Sequence, residues 1–376
     1  MGGTYLALAC VVLLALAGCG RWNFDERIDG SSSGSDALVV PDGPFALACG
    51  VPVKLLAIPD PASARITAIG APGGVAAAWI TDNQTLASIQ ISFSAPDVGM
   101  VAGVNEVPDA YDVVSLAIGT QGFVFAGRTS NTTAVRVFDI TLQPVAAMGV
   151  GSPFAINTSR AAVATGATNG AIYAVTGKNG TQAAVFGVGA DNSLVGTPFN
   201  IGVADKLMSL VPLGSRIGVI NDSNANNCEL RSMAPDLSSV GAPASYGSGT
   251  CDQPSAAFVA GRGDVFFATH NMTANIIESQ ILTLSGTTVT LGTGLTVQNQ
   301  ATNPRASGSV NGYWVLYHQT NIGALEATHV SFTNAADNRT PLGSIAEPTA
   351  YDVAAAGADT YAVWFASGLH LVRLCP

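Results

Sequence analysis

Val310-Asn311-Gly312-Tyr313-Trp314-Val315-Leu316-Tyr317 is the stretch whose reading decides the fold. A polar turn ending in glycine opens onto an apolar run rich in aromatic and β-branched residues, which reads as one strand of a hairpin. The same design returns at residues 74–79, 122–125, 170–175, 215–220, 263–267 and 360–365. Turn positions 74, 122, 170, 215, 263, 312 and 360 lie 48, 48, 45, 48, 49 and 48 residues apart.

A strand-built period in the 40s predicts an all-β chain folded as a β-propeller, one four-stranded antiparallel blade per repeat and seven blades in all. Each copy follows an apolar segment dominated by small residues, among them Ala68, Ala117, Ala162 and Ala354, which suits an innermost strand where blades crowd. After each copy come a polar turn and a third strand, such as 86–93, 134–140, 276–284 and 325–332, then a less regular fourth. A β-sandwich would not hold a near-constant spacing, and solenoid coils are shorter. The seventh repeat supplies strands at 351–357, 360–365 and 368–374 and then the sequence stops. Residues 45–58, upstream of the first full repeat, are expected to complete that last blade and close the ring.

The chain has 376 residues, 48% hydrophobic and only 11% charged, with a formal net charge of -10. A sparse, acidic composition lacks the clustered Lys and Arg that phosphate backbones require, so no nucleic-acid partner is expected. Residues 5–17 are an apolar run too short to span a bilayer and suited to the core of a signal peptide. The run ends in Leu16-Ala17-Gly18-Cys19, which resembles the lipobox of bacterial lipoproteins. That resemblance implies cleavage before Cys19 and lipidation of its thiol, hence a membrane anchor in the cell envelope. Gly20 after the cysteine leans towards the outer membrane in that family. One departure is the absence of Lys or Arg in residues 1–4. Residues 21–44 contain Gly30-Ser31-Ser32-Ser33-Gly34-Ser35 and read as a flexible tether with a reach on the order of 25 to 30 Å. The organisation expected is therefore a leader over 1–18, a tether over 19–44 and a propeller over 45–376. With the lipobox, the repeats make the chain resemble bacterial lipoproteins that carry a propeller body.

Six cysteines are present; Cys10 leaves with the leader and Cys19 takes lipid. Cys49, Cys228, Cys251 and Cys375 remain, an even number that suits two disulfides in an exported chain. Of three possible pairings, ring closure selects Cys49 with Cys375. Cys228 and Cys251 then pair inside the fourth blade.

The loops entering the inner strands carry Asp60, Asp109, Asn157, Asp205, Asp252 and Asn303, spaced 49, 48, 48, 47 and 51. Asp112 and Asp352 recur beside tyrosines in the second and last repeats. A ring of acids and amides at a channel mouth suits a cation or a polyol. The competing reading is that Asx side chains cap their own turns, and repetition at every blade favours it. His270 and His318, 48 apart, occupy equivalent rim positions, where ordinary rim residues are expected before a metal pair. Glu278 and Glu326, also 48 apart, fall on third strands and are expected to be solvated. No Walker loop, dinucleotide fingerprint, zinc-spaced cysteine set or nucleophile elbow appears, so no cofactor is expected. These features point to a membrane-anchored surface or periplasmic binding or scaffold module recognising a protein or a glycan through its loop face. The alternative is a glycan-active hydrolase or lyase using Asp109, Asp112 and Asp352.

Overall fold

The computed structural model describes residues 43–57, 66–71, 73–81 and 86–107, the strand backbone alone across 114–202, and 208–222, 228–246, 251–259, 261–345, 347–348 and 350–376. The leader, Cys19 and most of the tether lie outside these residues. Among the described residues every regular element is a β-strand, and the strands group into seven antiparallel sheets in chain order. The first sheet holds Ile66–Ala71, Gly74–Ile80, Leu86–Ala95 and Val98–Val107, with Phe45–Ala46 added at its outer edge. The second and third fall within 114–151 and 160–202. The fourth holds Met208–Leu213, Arg216–Asp222, Cys228–Met233 and Ala244–Tyr246. In the fifth, Cys251–Phe258, Asp264–Asn271 and Ile276–Ser285 are followed by Thr288–Leu291 and Leu295–Asn299, both paired to the third strand. The sixth holds Ala301–Ser309, Gly312–Gln319, Ala324–Val330 and Ala336–Ser344. The seventh holds Tyr351–Ala356, Asp359–Phe365 and Leu369–Leu374 and takes Val53–Leu56 as its outer strand.

The second strand explains why the sheets with described side chains stack. In Gly312–Gln319 every residue except His318 is buried. Successive side chains of a strand point to opposite faces, so burial throughout needs cover on both. Tyr313, Val315 and Tyr317 pack against Ala257, Phe266 and Ile277 of the fifth sheet. Trp314 and Leu316 pack against Tyr351, Val353 and Trp364 of the seventh. Burying each such side chain stabilises the fold by roughly 1.5–3 kcal/mol. The same logic joins the seventh sheet to the first, where Tyr361, Val363 and Phe365 meet Ile66, Val75 and Trp79. Phe93 stacks on Tyr361 with ring centroids 4.4 Å apart, and Trp79 meets Phe365 edge-on at 5.6 Å.

Small residues on the first strands permit close approach there. A methyl group placed on Gly70 would fall on the carbonyl oxygen of Ala355, in the first strand of the seventh sheet. Leu47, Leu55 and Leu56, from the segment before the first repeat, are fully buried in the cluster between the first and seventh sheets.

Cys49 and Cys375 are bonded across a separation of 326 residues. Closing that loop restricts the unfolded chain by about 6 kcal/mol in the chain-entropy treatment. The second disulfide corrects the sequence-based expectation. Cys228 sits on the third strand of the fourth sheet, but Cys251 opens the first strand of the fifth, so the bond crosses between sheets. The reason is that the fourth sheet's outer strand is only Ala244–Tyr246 and ends before Cys251.

Two outcomes follow from this packing. Gly70→Ala is expected to destabilise the chain by about 3 kcal/mol or more, because the obstructing atom is backbone and cannot rotate away; thermal and denaturant melts measure it. Cys49 is exposed, whereas Cys228 and Cys251 are buried. Graded reduction followed by alkylation and mass spectrometry should therefore open Cys49–Cys375 well before Cys228–Cys251.

Candidate functional site

The rim from which the first strands enter their sheets is built by a device that recurs in the fifth and sixth sheets. Cys251-Asp252-Gln253-Pro254-Ser255 and Ala301-Thr302-Asn303-Pro304-Arg305 each carry a proline, which has no N–H for the ladder. The pairing register skips between Asp252 and Ser255, and again between Thr302 and Arg305. Gln253 and Asn303, just before the prolines, take φ of 50° and 55° in the left-handed region. Such bulges release backbone groups from the ladder and turn side chains in new directions.

The released groups are satisfied by the neighbouring sheet. Asn303 N donates to Gln253 Oε1 at 2.7 Å, and Ala306 N donates to Ser255 Oγ at 2.9 Å. The Tyr351 hydroxyl, from the seventh sheet, donates to the carbonyl of Asn303 and accepts from the backbone N–H of His318. Burial pushes the Tyr351 phenol well above its ordinary pKa. Asp352 continues the series: its Oδ2 accepts from Ala68 N of the first sheet at 2.8 Å, and its Oδ1 from Val353 N at 2.9 Å. Thr67 adds a side-chain hydrogen bond. Burial raises the Asp352 pKa; the charge of Arg305 and the hydrogen bonds to the carboxylate pull it back only in part.

Of the predicted ligand ring, Asp60, Asp109, Asp112, Asn157 and Asp205 lie outside the described residues. Asp252 is described by its backbone, opposite His270 in the ladder. Asn303 and Asp352 are seen in full. Asp352 accepts from the next residue, Val353, as a turn-capping Asx does, and also reaches Ala68 of the first sheet, while Asn303 presents its backbone to sheets on both sides. These are seams between sheets: the first strand is an edge of its own sheet, and the bulge in the sixth sheet frees further backbone groups there.

Other expectations change as well. Glu326 is buried and not solvated, because Gln298 of the fifth sheet and Arg339 of the outer strand enclose it. It accepts from Tyr317 at 3.4 Å and from Gln298 at 3.3 Å. His270, expected as an ordinary rim residue, is buried, and so is His329 on the third strand of the sixth sheet. His329 bonds through Nδ1 to Asp337 at 2.6 Å and through Nε2 to the Asn311 carbonyl at 3.1 Å. His318 keeps partial exposure, and burial lowers its pKa. Among the described residues no three His, Cys, Asp or Glu gather as a metal would require. Sequence reasoning missed Gln253, Ser255 and Arg305. Their signal was the pair Gln253-Pro254 and Asn303-Pro304, 50 residues apart at the same place in successive repeats.

No protein-family model matches the chain, and no curated protein matches it. Solved structures do. The hydrazine synthase of Kuenenia stuttgartiensis aligns with TM-score 0.56 at 12% identity, covering 92% of this chain and 99% of that one. The fucose-recognising lectin of Aleuria aurantia, a six-bladed β-propeller, aligns with TM-score 0.51 at 14% identity, covering 76% of this chain and 97% of that one. A triple-arginine mutant of AofleA from Arthrobotrys oligospora aligns with TM-score 0.50 at 6% identity, covering 74% and 86%. Identities this low bear on the fold alone, and the fold they share with this chain is the β-propeller.

Asp352 supplies a pH test. A carboxyl whose folded pKa is raised favours the folded state when protonated, and that contribution is lost as pH rises through the raised value. Thermal melts of the wild type and Asp352→Asn should therefore diverge as pH climbs from about 4, with the wild type losing stability relative to the variant until Asp352 is fully ionised.

Proposed function

We propose that the chain is a lipid-anchored glycan-recognition module of the cell envelope, built on a closed seven-bladed propeller. Three contacts support closure: Val53–Leu56 on the seventh sheet, the Asp352 bond to Ala68, and the Cys49–Cys375 disulfide. The seven-fold spacing of the repeats and the seven sheets support the blade count, one more than in the Aleuria aurantia lectin. The lipobox resemblance ending at Cys19 supports the anchor, with the outer membrane favoured through Gly20.

The observation that carries the binding reading is how the described rim spends its polar groups. The Asp352 carboxylate is occupied by backbone donors and Thr67, so it holds the frame, while the neighbouring Arg305 guanidinium makes a single hydrogen bond among the described residues. A rigid frame that presents an unspent polar fork suits recognition of oxygen-rich ligands. That the Aleuria aurantia lectin recognises fucose on a similar fold agrees with this reading. One observation favours the glycan-active enzyme: Asp352 is a buried acid with a raised pKa, the property that a general acid needs.

Two experiments test the reading. The full chain on a glycan array is expected to retain a defined glycan set without converting it; turnover abolished by Asp352→Asn would favour the enzyme, and retention of nothing would end the binding reading. Cys19→Ser is expected to abolish incorporation of a labelled fatty acid and move the protein from membrane to soluble fractions.

A further inference from the structure

Six arginines have described side chains. Arg231, Arg262, Arg339 and Arg373 pair with Glu229, Asp264, Glu326 and Asp359, and Arg216 is held by Ser232 and Ser239. Arg305 differs: among the described residues its guanidinium makes one hydrogen bond, from Nη1 to the carbonyl of the preceding Pro304 at 3.1 Å, and no ion pair. Most of its donors are unspent although the residue is half-buried.

Its surroundings show where those donors face. Arg305 pairs with Leu316, and Thr302 pairs with His318 on the far side of the bulge. Paired residues share a face, and so do residues two apart on a strand, so Arg305, Thr302 and His318 lie on one face of the sixth sheet. Leu316 packs against Tyr351 and Val353, so that face is turned towards the seventh sheet. Asp352 stands close enough for its charge to act on Arg305, yet its oxygens are already taken by Ala68 N, Val353 N and Thr67. The His318 ring has no hydrogen bond among the described residues, and its lowered pKa keeps it a neutral donor and acceptor. Asn303 Nδ2 makes only a 3.5 Å contact to Thr302 Oγ1.

Resting on the glycan reading above, we propose that the half-buried polar edge where the sixth sheet meets the seventh, formed by Arg305, Thr302 and His318, binds an acidic sugar. Arg305 takes the carboxylate, and His318 with Thr302 takes adjacent hydroxyls. A planar guanidinium fork matches a carboxylate in two parallel hydrogen bonds, and partial burial strengthens the attraction.

The test measures binding of a galacturonate trimer and of its methyl-esterified, neutral counterpart to the full-length protein in detergent. The acid is expected to bind more tightly by about tenfold or more, with the margin shrinking as salt rises. In Arg305→Gln the two affinities should become nearly equal, with a cooperative melt retained. In the wild type, the Arg305 Nε–H resonance should shift on adding the acid and not the ester. This second readout holds even if the variant misfolds. Equal affinity for acid and ester, no binding of either, or a preference that survives in Arg305→Gln overturns the proposal; so does displacement of the trimer by an equimolar acidic peptide. If these fail while the array retains neutral glycans, only the Arg305 assignment falls. If the array retains nothing, the glycan reading falls with it.

Discussion

Burial of the second strand on both faces, seen in the first, fifth, sixth and seventh sheets, is the constraint on which the rest of the structure depends. A strand such as Gly312–Gln319 sends alternate side chains into two different interfaces, one with the sheet before and one with the sheet after. No sheet of this kind hides its apolar surface alone, so each is stable only between neighbours, as repeat architectures generally are. The arrangement also explains the aromatic residues. Tyr313 and Phe266 stack across one interface at 4.5 Å, and Phe93 and Tyr361 across another at 4.4 Å.

Stacked sheets create a second problem at the rim, where bulged first strands release backbone donors and acceptors. Unmet, each would cost about 1–3 kcal/mol. Gln253, Ser255, Tyr351 and Asp352 meet them from the neighbouring sheet, so much of the polar chemistry at this rim is architectural. The burial that raises the Asp352 pKa follows from that duty and is weak evidence of catalysis by itself. Arg305 stands out because the seams leave it over.

The segment before the first repeat combines both kinds of contact. Phe45–Ala46 extends the first sheet, Val53–Leu56 completes the seventh, and Leu47, Leu55 and Leu56 fill the interface between them. The disulfide from Cys49 adds a covalent clasp at the same place.

The sequence by itself determined the strand content, the near-48-residue period, the role of the segment upstream of the first repeat and the pairing of Cys49 with Cys375. Each is written in local pattern or in what the last repeat lacks. Tertiary structure alone decided the partners across sheets. Whether Cys228 bonds within a sheet or across to the next depends on where the fourth sheet ends. Whether Glu326 meets water depends on Gln298, which belongs to another repeat. Spacing placed Asn303 and Asp352 on one rim, but the direction of their hydrogen bonds came from edge strands, bulged at Asn303, whose free backbone groups a neighbouring sheet reaches. Side-chain period and turn chemistry are local properties; the satisfaction of a buried polar group depends on whatever the fold brings within about 3 Å of it.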